Sequence, residues 1–139
     1  MSKVKLIIFD LDGVLVEAKN IHYDSLNKAL GLSYRISWND HLSIYDGLKT
    51  NEKLNMLSNL KKLPRSKHEG VWLKKQQYTL TALKKLKPST QLRECMQLLV
   101  EDGYKIAVCS NSIRKTVLTV LSKLGIMEYM DLVISNEDV

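Results

Sequence analysis

The stretch Val4-Lys5-Leu6-Ile7-Ile8-Phe9-Asp10 is almost wholly apolar, and it delivers the chain to a second acid, Asp12, and to Gly13. A short apolar run bounded by turn residues reads as a strand buried on both faces, which places it centrally in a parallel sheet. Parallel strands need long crossover connections, so helices must lie between them. A hydrophobic strand that ends in two carboxylates also points to the handling of cations or phosphate at that end.

The rest of the pattern fits such a sheet with one interruption. From about Asn20 to Leu86 the periodicity is helical. Ile21, Leu26 and Leu30 share a face and Gly31 stops the first helix. A second, shorter helix follows Ser37 with Trp38, Leu42 and Tyr45 on one side, and Gly47 ends it. Thr50 opens a third with Leu54, Leu57 and Leu60. Ser66 and Glu69 read as the capping box of a fourth, which carries Trp72, Leu73, Leu80 and Leu83. The tryptophans and leucine stripes are assigned to the core of this region.

Four successive helices are too many for one crossover, so residues 17–86 read as an inserted helical subdomain and residues 1–16 with 87–139 as an α/β core. Pro88 then suits the first turn of a helix through Glu101. Tyr104–Cys109 is the second strand, a helix closed by Gly125 follows, and Asp131–Ile134 is a short third strand. The fold class expected is α/β, Rossmann-like, with three parallel strands and a helical insertion.

Composition excludes other classes. At 139 residues and 45% hydrophobic content the chain is one ordinary domain with a small insertion. No run approaches the roughly 20 apolar residues of a membrane span, and the N-terminus does not resemble a signal peptide. Cys95 and Cys109 form no zinc or disulfide pattern, so a reduced cytoplasmic setting is the simpler reading. The formal charge of +6 is scattered over Lys61-Lys62, Lys74-Lys75 and Lys84-Lys85 with no interleaved aromatics. Solvated helix faces with some attraction for anionic metabolites account for it better than nucleic-acid binding does.

Ligands of open α/β sheets bind beyond the carboxyl ends of the strands. There the sequence places Asp10 and Asp12 after the first strand, and Ser110 and Asn111 after the second, at the opening of a helix. Paired carboxylates suit magnesium and still offer a nucleophile. A hydroxyl with backbone N–H groups suits an anion. Together they describe a place to hold a phosphoryl group and attack it.

On these residues the chain resembles the haloacid dehalogenase-like hydrolase superfamily. Asp10-Leu11-Asp12-Gly13-Val14 is similar to its first motif and Ser110-Asn111 to its second, at the spacing of members with a helical cap, such as phosphoglycolate phosphatase and beta-phosphoglucomutase. The resemblance implies a magnesium-dependent phosphatase acting on a small phosphorylated metabolite. Asp10 would be the nucleophile forming an aspartyl-phosphate, and Asp12 the general acid and base. Magnesium would sit on the Asp10 carboxylate and the Asp12 carbonyl, with Ser110 and the Asn111 N–H on the phosphoryl oxygens.

His22 falls where that group has a histidine, although a half-buried, inert imidazole beside Tyr23 fits the residues equally well. Lys49 and Lys53 fall where relatives place substrate-contacting bases, yet a solvated helix face suits them better. A phosphomutase using the same first steps is the alternative reading, as is a noncatalytic phosphate-binding module.

Two later motifs of the family are missing. Its lysine after the third strand and its acids after a fourth would fall beyond Val139. The expectation is therefore of a truncated chain with a weakened metal site and little or no catalysis. The first strand would have an exposed edge.

Overall fold

The computed structural model describes Lys3 and residues 5–139; Val4, placed at the start of the first strand by the sequence, lies outside the described residues. The chain divides into two compact units, Met1–Glu17 with Leu83–Val139, and Ala18–Ala82. Among the described residues no helix is long and apolar enough to cross a membrane.

The first unit is a parallel sheet with helical crossovers. Strand β1 (Lys5–Asp10) pairs with β2 (Tyr104–Cys109), and β2 with β3 (Leu132–Ile134), in the order β1-β2-β3. Helix α5 (Thr90–Glu101) precedes β2, and α6 (Arg114–Leu124) joins β2 to β3. The central strand is β2, whose Ile106, Ala107 and Val108 are buried. Val117, Val120, Leu121 and Leu124 are buried along α6, at the spacing of one helical face. Gly125, in the left-handed conformation at φ 78°, closes that helix, as the sequence predicts.

The position of β1 corrects the expectation of a strand buried on both sides. It lies at an edge of the described sheet, with Leu6 56% and Ile8 60% exposed. Apolar continuity reports that a strand is suited to burial, not which neighbours it has.

The second unit is helical. Helix α1 (Lys19–Leu30) ends at Gly31, as expected, with φ 81°. After it come a one-turn α2 (Trp38–Asp40), α3 (Thr50–Lys61) and α4 (His68–Leu83). Leu26, Leu30, Ile36, Tyr45, Leu54, Leu57, Leu63 and Val71 form the buried cluster, and Trp72 packs against it. Asn27 holds the returning chain by donating to the Ile36 carbonyl and accepting from its N–H, at 3.0 and 2.8 Å.

Three local expectations fail here and at the border of the units. The second helix is not one regular element, because α2 passes into a π-helical turn at His41–Tyr45. Its supposed core face is divided: Tyr45 is buried, while Trp38 and Leu42 remain exposed. Ser66 does not stand at the head of α4 but inside a 3₁₀ turn (Arg65–Lys67) entered from Pro64. Pro88 precedes α5 rather than entering it; Ser89 is the cap, its hydroxyl accepting from Leu92 N–H at 3.2 Å.

Candidate functional site

The chain leaves β1 through a tight loop. The Leu11 carbonyl accepts from Leu15 and Val16 N–H at 3.0 and 3.1 Å, and Gly13 N–H donates to the Val16 carbonyl at 2.7 Å. Gly13 stands at φ 82°, a region that a side chain disfavours, so the loop needs glycine there. Leu11, Leu15 and Val16 are buried beneath, which leaves the acids on the outer side. Asp10 is exposed, and its Oδ1 accepts from Leu11 N–H at 2.8 Å; that bond sets the carboxylate's direction. Asp12 is half-buried.

Strand β2 ends beside it. Asp10 pairs in register with Cys109, so Ser110 and Asn111 begin where β1 gives way to its acidic loop. Adjacent strands are about 4.8 Å apart. The four residues therefore share one end of the sheet. Ser110 is buried, and its Oγ accepts from Ser112 N–H at 3.1 Å. That bond uses a lone pair and leaves the hydroxyl proton for donation.

One expectation needs correction: Ser110 and Asn111 do not open the helix. Helix α6 starts at Arg114, and the Glu137 carboxylate accepts from its first N–H at 3.0 Å. The positive end of α6 is thus already matched by an internal anion. Asp138 accepts from Ser135 N–H at 2.7 Å, which holds its carboxyl below the usual range, with help from the Ser135 hydroxyl and Arg114.

Among the described residues no three metal-ligating side chains gather. Magnesium does not require such a cage, because one or two carboxylates with water and substrate phosphate suffice. Asp10 and the Asp12 loop supply hard oxygen donors of that kind.

The helical unit carries the remaining candidates. His22, on α1, lies with Nδ1 3.1 Å from the Lys75 ammonium of α4. Lys53, read from the sequence as solvated, is only 4% exposed, and Lys75 is equally buried. Lys49 is half-buried at the head of α3. Beside them Gln76 donates to the Thr50 hydroxyl at 3.3 Å. Periodicity treated Lys74 and Lys75 as one polar pair, but successive helical residues are about 100° apart, and Lys75 turns inward.

His41 was not singled out in the sequence. It is fully buried against Tyr23 and Trp38, at 5.2 and 5.3 Å between ring centroids. Neither ring nitrogen has a hydrogen-bond partner among the described residues. Burial lowers its pKa below the ordinary 6.5, the Lys53 and His22 charges lower it further, and Asp46 opposes them.

The unfolded chain then takes up this proton before the folded one does. The stability is complete above 6.5 and is lost as pH falls from there through the lowered value, at no more than about 1.4 kcal/mol per pH unit. Urea unfolding followed from about pH 7.5 to pH 5 is expected to show a shallower acid loss in His41→Leu than in the parent. Parallel curves for the two proteins would refute this.

Residues 7–139 match the family described as haloacid dehalogenase-like hydrolase. No curated protein matches the chain by sequence. Among solved structures it is similar to beta-phosphoglucomutase from Clostridium difficile, with a TM-score of 0.83 and 20% identity over 99% of this chain and 64% of that one. A predicted phosphoglycolate phosphatase from Haemophilus somnus 129pt gives 0.81 and 21%, over 100% and 65%. CbbY from Rhodobacter sphaeroides, in complex with xylulose-(1,5)-bisphosphate, gives 0.82 and 16%, over 99% and 65%. The chain thus spans just under two thirds of the length of these structures, and the likeness is one of fold.

Proposed function

The chain belongs to the haloacid dehalogenase-like hydrolases, and from that premise we propose that its sheet end is a magnesium-dependent phosphoryl-transfer site of a phosphatase for small phosphorylated metabolites. One observation carries the reading: the register of Asp10 against Cys109 sets the Asp10–Asp12 loop beside the Ser110–Asn111 turn.

Asp10 attacks phosphorus and displaces the alcohol, forming an aspartyl-phosphate; a water molecule then attacks that phosphorus and restores the carboxylate. Asp12 gives a proton to the leaving oxygen and takes one from the water. Ser110 donates its hydroxyl, and Asn111 its backbone N–H, to phosphoryl oxygens as charge accumulates on them. The Asp10 carboxylate and Asp12 carbonyl would hold magnesium, which supplies charge neutralisation between two anions.

Residues 17–86 serve as the cap, and the helical unit Ala18–Ala82 within them carries His22, Lys49 and Lys53, basic residues that suit an anionic substrate. The burial of Lys53 supports a role beyond solubility. Free, exposed Cys95 and Cys109 support a reducing, cytoplasmic setting.

Calorimetric titration with inorganic phosphate in magnesium tests the site. Saturable binding that weakens on chelation with EDTA is the expected result. Phosphate binding that is unchanged by EDTA would remove magnesium from the proposal, and no binding at all would remove the site.

A further inference from the structure

The turn that follows β3 is fastened to the turn that follows β2. Ser110 N–H donates to the Ile134 carbonyl at 3.0 Å, Asn136 N–H to the Ser112 carbonyl at 3.0 Å, and Asn136 Nδ2 to the Asn111 carbonyl at 3.1 Å. The third bond bears on chemistry because of what lies on the other side of the same peptide. A trans peptide unit is planar, with its C=O and N–H pointing in opposite directions. The Asn111–Ser112 unit accepts from Asn136 through its carbonyl and donates through Ser112 N–H to Ser110 Oγ, at 3.1 Å.

Fixing the carbonyl fixes the N–H, and the N–H fixes which lone pair of the Ser110 hydroxyl is occupied. The remaining proton direction follows from that. Asn136 is itself held in a hydrogen-bonded turn. Ser135, fully buried, and Asp138 cap each other, and Arg114 reaches the Asp138 carboxylate at 3.3 Å.

We infer that Asn136 is a positioning residue for phosphate, aiming the Ser110 hydroxyl through the Asn111–Ser112 peptide. The inference rests on the phosphoryl-transfer reading of Ser110. Asn136→Asp keeps the shape and removes the donor, while Asn136→Ala removes the side-chain bond and spares the backbone one. Each should weaken binding of inorganic phosphate in magnesium by about threefold to tenfold, with the melting temperature held near that of the parent, because the side chain is only half-buried.

A double-mutant cycle separates this route from general loosening. In a Ser110→Ala background the Asn136 substitutions should change affinity less than about twofold, since the group they aim is gone. Equal losses in both backgrounds, or unchanged affinity in the single variants, overturn the inference while phosphate binding by the parent stands. A parent chain that binds no phosphate instead overturns the phosphoryl-transfer reading, and this role falls with it.

Discussion

Asp10→Asn is expected to leave the fold intact and to remove covalent phosphoryl transfer altogether. The asparagine keeps an oxygen for the Leu11 N–H bond, and the position is exposed, so little stability is at stake. On the proposed mechanism the lost group is the nucleophile. Whatever magnesium-dependent turnover the parent chain shows should then fall by on the order of 10³ or more.

Asp12→Asn should behave differently. Removing a general acid and base costs about 10²–10⁴, and an already formed aspartyl-phosphate loses the group that activates water against it. Incubation with a phosphoryl donor in magnesium, acid quenching and mass spectrometry separates the two variants. A phosphorylated species should persist in Asp12→Asn and be missing in Asp10→Asn. Hydrolysis of a generic phosphate monoester that survives Asp10→Asn would refute the assignment of the nucleophile.

The largest effect on stability should come from Leu57→Ala. Leu57 is fully buried in the cluster formed with Leu26, Ile36, Tyr45 and Leu54, and truncating such a leucine costs about 2–5 kcal/mol, according to how far the cavity collapses. Leu60, on the same helix α3, is 60% exposed, and Leu60→Ala should stay within about 0.5 kcal/mol of the parent. Urea unfolding followed by far-ultraviolet circular dichroism makes the comparison at constant helix propensity. Similar midpoints for the two variants would show that the cluster does not hold the unit together.

These positions also show what the sequence can and cannot specify. Gly31 and Gly125 end their helices as expected, because a residue at positive φ past the last turn is a local requirement. The interior of β2 is legible because Ile106-Ala107-Val108 is apolar on both faces. The location of the Asp10, Asp12 and Ser110 cluster follows from strand ends, which the pattern marks well.

What fails depends on non-local facts. Ser66, read as a cap, and Pro88, read as a first-turn residue, each lie one or two positions ahead of the helix they were assigned to, and Ser89 caps the helix that Pro88 was expected to open. The inward turn of Lys53 and Lys75 depends on the packing of α3 and α4, which charge runs do not report. Asn136 lies 25 positions from the carbonyl it holds, and only the parallel alignment of β2 and β3 joins them.

The pairing of β1 with β2 has a consequence for the order of events during synthesis. Lys5 pairs with Tyr104 and Asp10 with Cys109, so β1 leaves the ribosome long before its partner exists. The helical unit, with its own buried cluster, is complete in between. For the time needed to translate about a hundred residues, several seconds at usual rates, Leu6-Ile7-Ile8-Phe9 has no strand to bind. The segment that presents Asp10 is therefore made before the other strands of the described sheet and pairs with β2 only after the helical unit has been synthesised.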